Sequence, residues 1–101
     1  MYKRVETKSE YRKVVEDTLQ ETEILIERFK EISIYKVIYE QIIQIREDVL
    51  VRKLRMTLFE IVDKYYLGAI AVKNFDVEHD EYAQKLSDIS GLSYKYLDLP
   101  E

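Results

Sequence analysis

The chain has no cysteine and no tryptophan, one proline, one histidine and two glycines in 101 residues. Without cysteine there can be neither a disulfide nor a thiolate metal site, which fits a reducing compartment. So few glycines and prolines exclude an all-β domain, which would need many tight turns. No apolar run approaches the roughly 20 residues that span a bilayer. The first residues, Met-Tyr-Lys-Arg-Val-Glu-Thr, lack the apolar core of a signal peptide, so the expected location is cytoplasmic. The two glycines lie far apart, which rules out a glycine-rich phosphate loop.

What is present is 47% hydrophobic and 36% charged residues, with a net charge of −4. That mixture reads as well-patterned helices in one domain, residues 1–101. Overall acidity disfavours attraction to phosphate backbones, and no nucleic-acid or membrane partner is expected.

Three- and four-residue spacing of apolar side chains carries most of the fold. Thr7 and Glu10 form a capping box that starts a first helix running to about residue 31, with Tyr11, Val15, Thr18, Leu19, Thr22, Ile26 and Phe29 along one face. Ser33 is placed to cap a second helix over about 34–54, along Tyr35, Ile38, Ile42, Ile45 and Val49. Its apolar row slips after Val49, where Arg52 and Lys53 take the expected positions. Such a slip is either a stutter in one helix or a break near Glu47-Asp48. A second capping box, Thr57 and Glu60, opens the most apolar stretch, Thr57 to Asp76. Leu58, Ile61, Val62, Tyr65, Tyr66, Ala69, Ile70 and Val72 cover most of its circumference. The stretch therefore reads as a central helix, enclosed by a bundle or by a second subunit. Gly68 either ends that helix or allows close approach, and an alternative is a short strand near 69–73. Asp76 is expected to cap a last helix with Tyr82, Leu86 and Ile89 inward and Ser90-Gly91 as its C-cap. The expected fold is all-α, a bundle of about four helices with a short docked C-terminal tail, the alternative being α+β.

Catalytic chemistry finds little support. His79 is the only histidine. Asp76 and His79 share the spacing of the Glu-x-x-His pairs of di-iron bundles, which need a second such pair. Glu60 and Asp63 resemble the Mg²⁺-holding carboxylates of all-α nucleotide pyrophosphohydrolases, but the first helix offers no matching pair. A metal-dependent hydrolase using Glu60, Asp63, Asp76 and His79 is thus a distant third reading, and neither metal nor cofactor is expected. Arg52, Lys53 and Arg55 lack the basic recognition helix that DNA binding would require.

The surface-capable residues point elsewhere. Nine tyrosines supply large rigid contact area with a polar tip, which suits interfaces. Tyr35, Tyr39, Tyr65 and Tyr66 form the candidate aromatic surface for a partner or a dimer. Asp76, Glu78, Asp80 and Glu81 form the candidate acidic face. Small size, acidity and the lack of an active site fit a non-enzymatic protein that binds another protein, of the immunity-protein or antitoxin kind. The runner-up is a regulatory or structural homodimer.

Overall fold

A computed structural model describes residues 2–101. Among them are five α-helices and no β-strand, as the spacing of apolar residues implies. Helix α1 (Lys8–Arg28) starts on the complete box of Thr7 and Glu10 and buries Tyr11, Val14, Val15, Thr18, Leu19 and Thr22. At roughly 1.5–3 kcal/mol per large apolar side chain, that stripe outweighs the ~1 kcal/mol contributed by its cap. The helix ends at Arg28, not near 31, with Phe29 leaving helical geometry.

Helix α2 (Ile34–Ile45) buries Ile38, Ile42 and Ile45 against α1. Ser33 precedes it but makes no side-chain capping bond. The helix does not break near Glu47-Asp48. It runs on into a π turn over Arg46–Val51, closed by Arg52 N–H donating to the Glu47 carbonyl at 2.9 Å. A π turn inserts an extra residue into the helical ladder. Here the insertion absorbs the slip in the apolar row and turns both Asp48 and Val49 inward. The chain leaves the turn through Lys53, whose φ of 52° is the one left-handed backbone among the described residues.

The stretch from Thr57 to Asp76 is not one central helix. It forms α3 (Leu58–Lys64) and α4 (Leu67–Asn74), separated at Tyr65 and Tyr66. Tyr65 is extended (φ −119°, ψ 141°) and buried, its hydroxyl donating to Asp48. The Tyr66 N–H donates to Gln41 Oε1 at 3.0 Å. Both bonds reach back to α2 and its π turn, and they override the continuous helical pattern of the sequence. The alternative strand near 69–73 is also absent, since α4 covers those residues. Gly68 sits in the first turn of α4, where an added Cβ would stand 3.2 Å from Ser90 Oγ, so it allows α4 to approach α5 closely.

Helix α5 (Glu81–Gly91) buries Tyr82, Ala83, Leu86, Asp88 and Ile89, and packs on α1 and α4. Its cap is Asp80, not Asp76: the Asp80 carboxylate accepts from the N–H groups of Tyr82 and Ala83. Gly91 is the last helical residue and has no left-handed φ, so it is not the C-cap glycine the sequence suggested. The tail docks as expected. A 3₁₀ turn over Ser93–Asp98 places Tyr96 against Tyr11, ring centroids 5.2 Å apart, and the Pro100 carbonyl accepts from Lys8 N–H at 2.8 Å. No helix among the described residues is long and apolar enough to cross a membrane.

Candidate functional site

Five large apolar side chains stand exposed on or between α3 and α4: Leu58, Phe59, Val62, Tyr66 and Val72. Phe59 is 81% exposed, Val62 70% and Val72 71%. Single exposed apolar residues are ordinary on a protein surface, whereas contiguous ones mark interaction sites. Of these five, Leu58, Val62 and Tyr66 line one groove, and Phe59 stands one helical turn before Val62. The cause is the break at Tyr65. It leaves α3 only seven residues long with Ile61 as its one buried side chain, so the outer side of the helix stays uncovered among the described residues.

This face holds an open groove of about 220 Å³. Leu58, Ile61 and Val62 of α3 form one wall, continued by Tyr65 and Tyr66. Gly68 and Ala69 of α4 with Ser90 and Gly91 of α5 complete it. The groove therefore draws on three helices, and its shape depends on what fixes the angle at Tyr65.

That angle is held by Asp48. Its carboxylate is fully buried and meets the Tyr65 hydroxyl, Lys64 Nζ at 2.7 Å and Gln44 Nε2 at 3.2 Å, with an Arg52 guanidinium nitrogen at 3.6 Å. Burial by itself would raise the pKa of Asp48, but hydrogen bonds from Lys64, Tyr65 and Gln44 outweigh it and hold the group below the usual carboxylate range. The Tyr65 hydroxyl moves the other way, raised by burial and by its bond to Asp48. The three hydrogen bonds all fall on Oδ2, while Oδ1 is buried without a hydrogen-bond partner and faces only the Arg52 guanidinium. Through Oδ2 the buried charge ties the π turn to the start of the α3–α4 face.

Of the sequence-selected aromatic residues only Tyr65 and Tyr66 come together, at the groove. Tyr66 is exposed and borders the groove. Tyr65 is buried and contributes only to the groove wall. Tyr35 is half-buried in an aromatic cluster with Phe29, Phe75 and Tyr82, centroids 6.1 to 6.4 Å away. Tyr39 lies on the α1–α2 seam, where its hydroxyl donates to Glu23 at 3.0 Å.

The acidic residues cluster at the turn between α4 and α5. Asp76 accepts from the Glu78 N–H at 3.1 Å and pairs with His79 Nδ1 at 2.8 Å, and the His79 bond holds its carboxyl below the ordinary range. Asp80 is engaged as the cap of α5, while Glu78 and Glu81 are exposed. His79 and Glu60 therefore have local structural partners, Glu60 through the box that starts α3. No three histidine, aspartate or glutamate side chains gather in a metal-holding group among the described residues. Of the basic residues, Arg55 pairs with Asp98 at 3.1 Å and Arg52 faces Asp48.

Three residues escaped the sequence reading. Phe59 lies off the apolar row that Leu58, Ile61 and Val62 suggested, and an aromatic residue on the polar side of a helix was its available signal. The slip after Val49 was the trace left by Asp48. Asp88 is buried near the C-terminus of α5, where a negative charge is disfavoured unless paired. It meets Arg4 at 2.7 Å, the Tyr2 hydroxyl at 2.6 Å and the Val5 N–H at 3.1 Å, strapping residues 2–5 onto α5.

A family model, Tsi6, matches residues 10–95, and the chain belongs to that family, a family of type VI secretion immunity proteins. The matched span takes in all of α2 to α5, and so the whole exposed face and its groove. No curated protein and no solved structure matches the chain.

Proposed function

We propose that this member of the Tsi6 family is an immunity protein with no catalysis of its own, and that it neutralises a secreted toxin by covering it with the α3–α4 face. The observation that carries this reading is the set of exposed apolar side chains Leu58, Phe59, Val62, Tyr66 and Val72. A few central aromatic and aliphatic residues supply most of the affinity of a typical interface. Family membership supplies the class of partner. The acidic turn of Asp76, Glu78, Asp80 and Glu81 would act earlier, steering a cationic toxin during encounter. We place that encounter in the cytoplasm.

The test is co-expression with the type VI secretion toxin of the same genome, read by growth and by co-purification. Wild type restores growth, whereas Phe59→Asp with Val62→Asp, both on exposed positions, abolishes protection and capture while folding normally. Full protection by the double variant would remove the α3–α4 face as the contact. A stable dimer in light scattering, lost on Tyr66→Ala, would instead assign the face to a second copy. For the acidic turn the change is Glu78→Gln, because Asp80 holds the start of α5 and Asp76 pairs with His79. It should slow association and flatten its salt dependence, and an unchanged on-rate would exclude steering from this turn.

A further inference from the structure

The two helices of the exposed face are held to the rest of the chain very differently. Helix α4 buries Leu67, Ile70 and Ala71, and its start is tied to α2 by the Tyr66 N–H on Gln41. It also lies close on α5, where a Cβ at Gly68 would crowd Ser90 Oγ at 3.2 Å. Helix α3 buries Ile61 alone, and no backbone hydrogen bond joins residues 57–64 to another element among the described residues. The chain is non-helical on both sides of α3, through residues 53–57 before it and at Tyr65 and Tyr66 after it. A segment with so few buried contacts opens at a lower free energy than the core.

Besides Ile61, α3 is fastened by Lys64, whose Nζ meets Asp48 Oδ2 at 2.7 Å. The exposed pair of Arg55 and Asp98, just before the helix, contributes little. Asp48 holds a second cation in reserve. Its Oδ1 is buried without a hydrogen bond, and an Arg52 guanidinium nitrogen lies 3.6 Å away, beyond hydrogen-bond range. The Arg52 side chain is 57% exposed, so with Lys64 in place its pair with Asp48 adds little. That changes when Lys64 leaves. A buried carboxylate stripped of its ammonium is costly unless another cation takes over. For Arg52 to close from 3.6 Å to about 2.8 Å needs only a small movement of a long, exposed side chain. The Tyr65 hydroxyl and Gln44 stay on Oδ2 throughout. We infer that α3 is a hinged flap, swinging on Tyr65 as a unit while α4 stays in place, and that Asp48 passes from Lys64 to Arg52 as the flap opens. Opening carries Phe59 and Val62 away from the α4–α5 wall, so the face has one fixed wall and one movable wall. Neither hinge nor latch depends on the immunity reading.

The test is amide hydrogen exchange of the free whole chain, followed in ¹H–¹⁵N spectra and expressed as protection factors. The amides of Ile61 to Tyr65 should be protected roughly a hundredfold less than those of Val15, Leu19, Ile70 and Ala71. Lys64→Gln should lower protection in α3 by about a further tenfold and leave α1 and α4 within about twofold. Arg52→Gln should do the opposite, raising protection in α3 roughly threefold, because only the open state loses its counter-ion. Two cations on one carboxylate would then act with opposite signs, whereas two merely structural ion pairs would both loosen α3 when removed. Protection in α3 equal to that of Ile70 and Ala71 would overturn the flap. So would Lys64→Gln lowering protection equally in α1, which would place α3 in one cooperative core. Protection in α3 that falls or stays unchanged in Arg52→Gln would overturn the hand-over of Asp48. All these measurements are made without toxin, so a failure of growth rescue would sink the immunity reading and leave the flap standing.

Discussion

Helices α1 and α3 begin with the same device and end with opposite fates. Each opens on Thr-x-x-Glu, and in each the threonine and glutamate satisfy one another's backbone N–H groups. Helix α1 then runs for 21 residues and buries six side chains. Helix α3 runs for seven and buries only Ile61. A capping box thus sets where a helix begins and says nothing about what it will bury. Length and burial are decided downstream, by Tyr65 turning out of the helix to reach Asp48. In α1 the apolar side chains meet α2, α5 and the tail, so they stabilise the fold. In α3 the same kinds of side chain meet solvent, so they are available to a partner.

The comparison is sharpest for truncations in the two helices. Leu19→Ala, inside α1, should cost about 2–5 kcal/mol in urea denaturation. Phe59→Ala should stay within about 0.5 kcal/mol and show its effect only in partner capture. A Phe59→Ala loss of the same size as Leu19→Ala would mean that Phe59 is buried in solution.

The device that separates α3 from α4 should matter next most. Asp48→Asn leaves Lys64 and Tyr65 without their buried carboxylate, for an expected loss of about 3 kcal/mol, and should weaken partner capture through the altered face. The same change should alter the dependence on pH. Because the folded pKa of Asp48 is depressed, its contribution is complete above the ordinary carboxylate value of about 3.9 and is lost as pH falls below that through the folded value. The variant should therefore show a shallower acid limb below about pH 4. An identical acid limb would locate the acid sensitivity elsewhere.

The smallest effects belong to the boxes themselves. Thr7→Ala and Thr57→Ala should each cost about 1 kcal/mol in the same denaturation experiment, with Thr57→Ala alone also loosening partner contact. Should Thr57→Ala prove neutral in both readouts, the start of α3 would not be held by its box.

How much of this was legible in the sequence follows from the range of the forces involved. The inner faces of α1 and α5 were readable because burial there repeats every three or four residues, and Tyr11, Val15, Leu19, Tyr82, Leu86 and Ile89 are indeed buried. The family's protein-binding character was legible only as a class, from size, acidity and the missing active site. The α3–α4 face was not. Tyr65 and Tyr66 look like further residues of a continuous apolar helix, and the bonds that break it run to Asp48 and Gln41, 17 and 25 positions away. No local pattern contains such a bond. The cap of α5 is Asp80 rather than the expected Asp76, because both are suitable N-cap residues and only the backbone turn between them decides.

The segment that leaves the π turn has a consequence of its own. Arg52, Lys53 and Arg55 are exposed, lie between helices and include the one left-handed residue. Trypsin should therefore cut there first, as it does in exposed segments with few backbone restraints. The nick divides the chain almost in half, with α1 and α2 on one fragment and α3 to α5 on the other. Tyr2 and Arg4 would still grip Asp88, and Lys8 would still hold Pro100, across the cut. The two pieces should co-elute on gel filtration and part only in denaturant, making this small protein a ready-made split pair whose reassembly can report on its own folding.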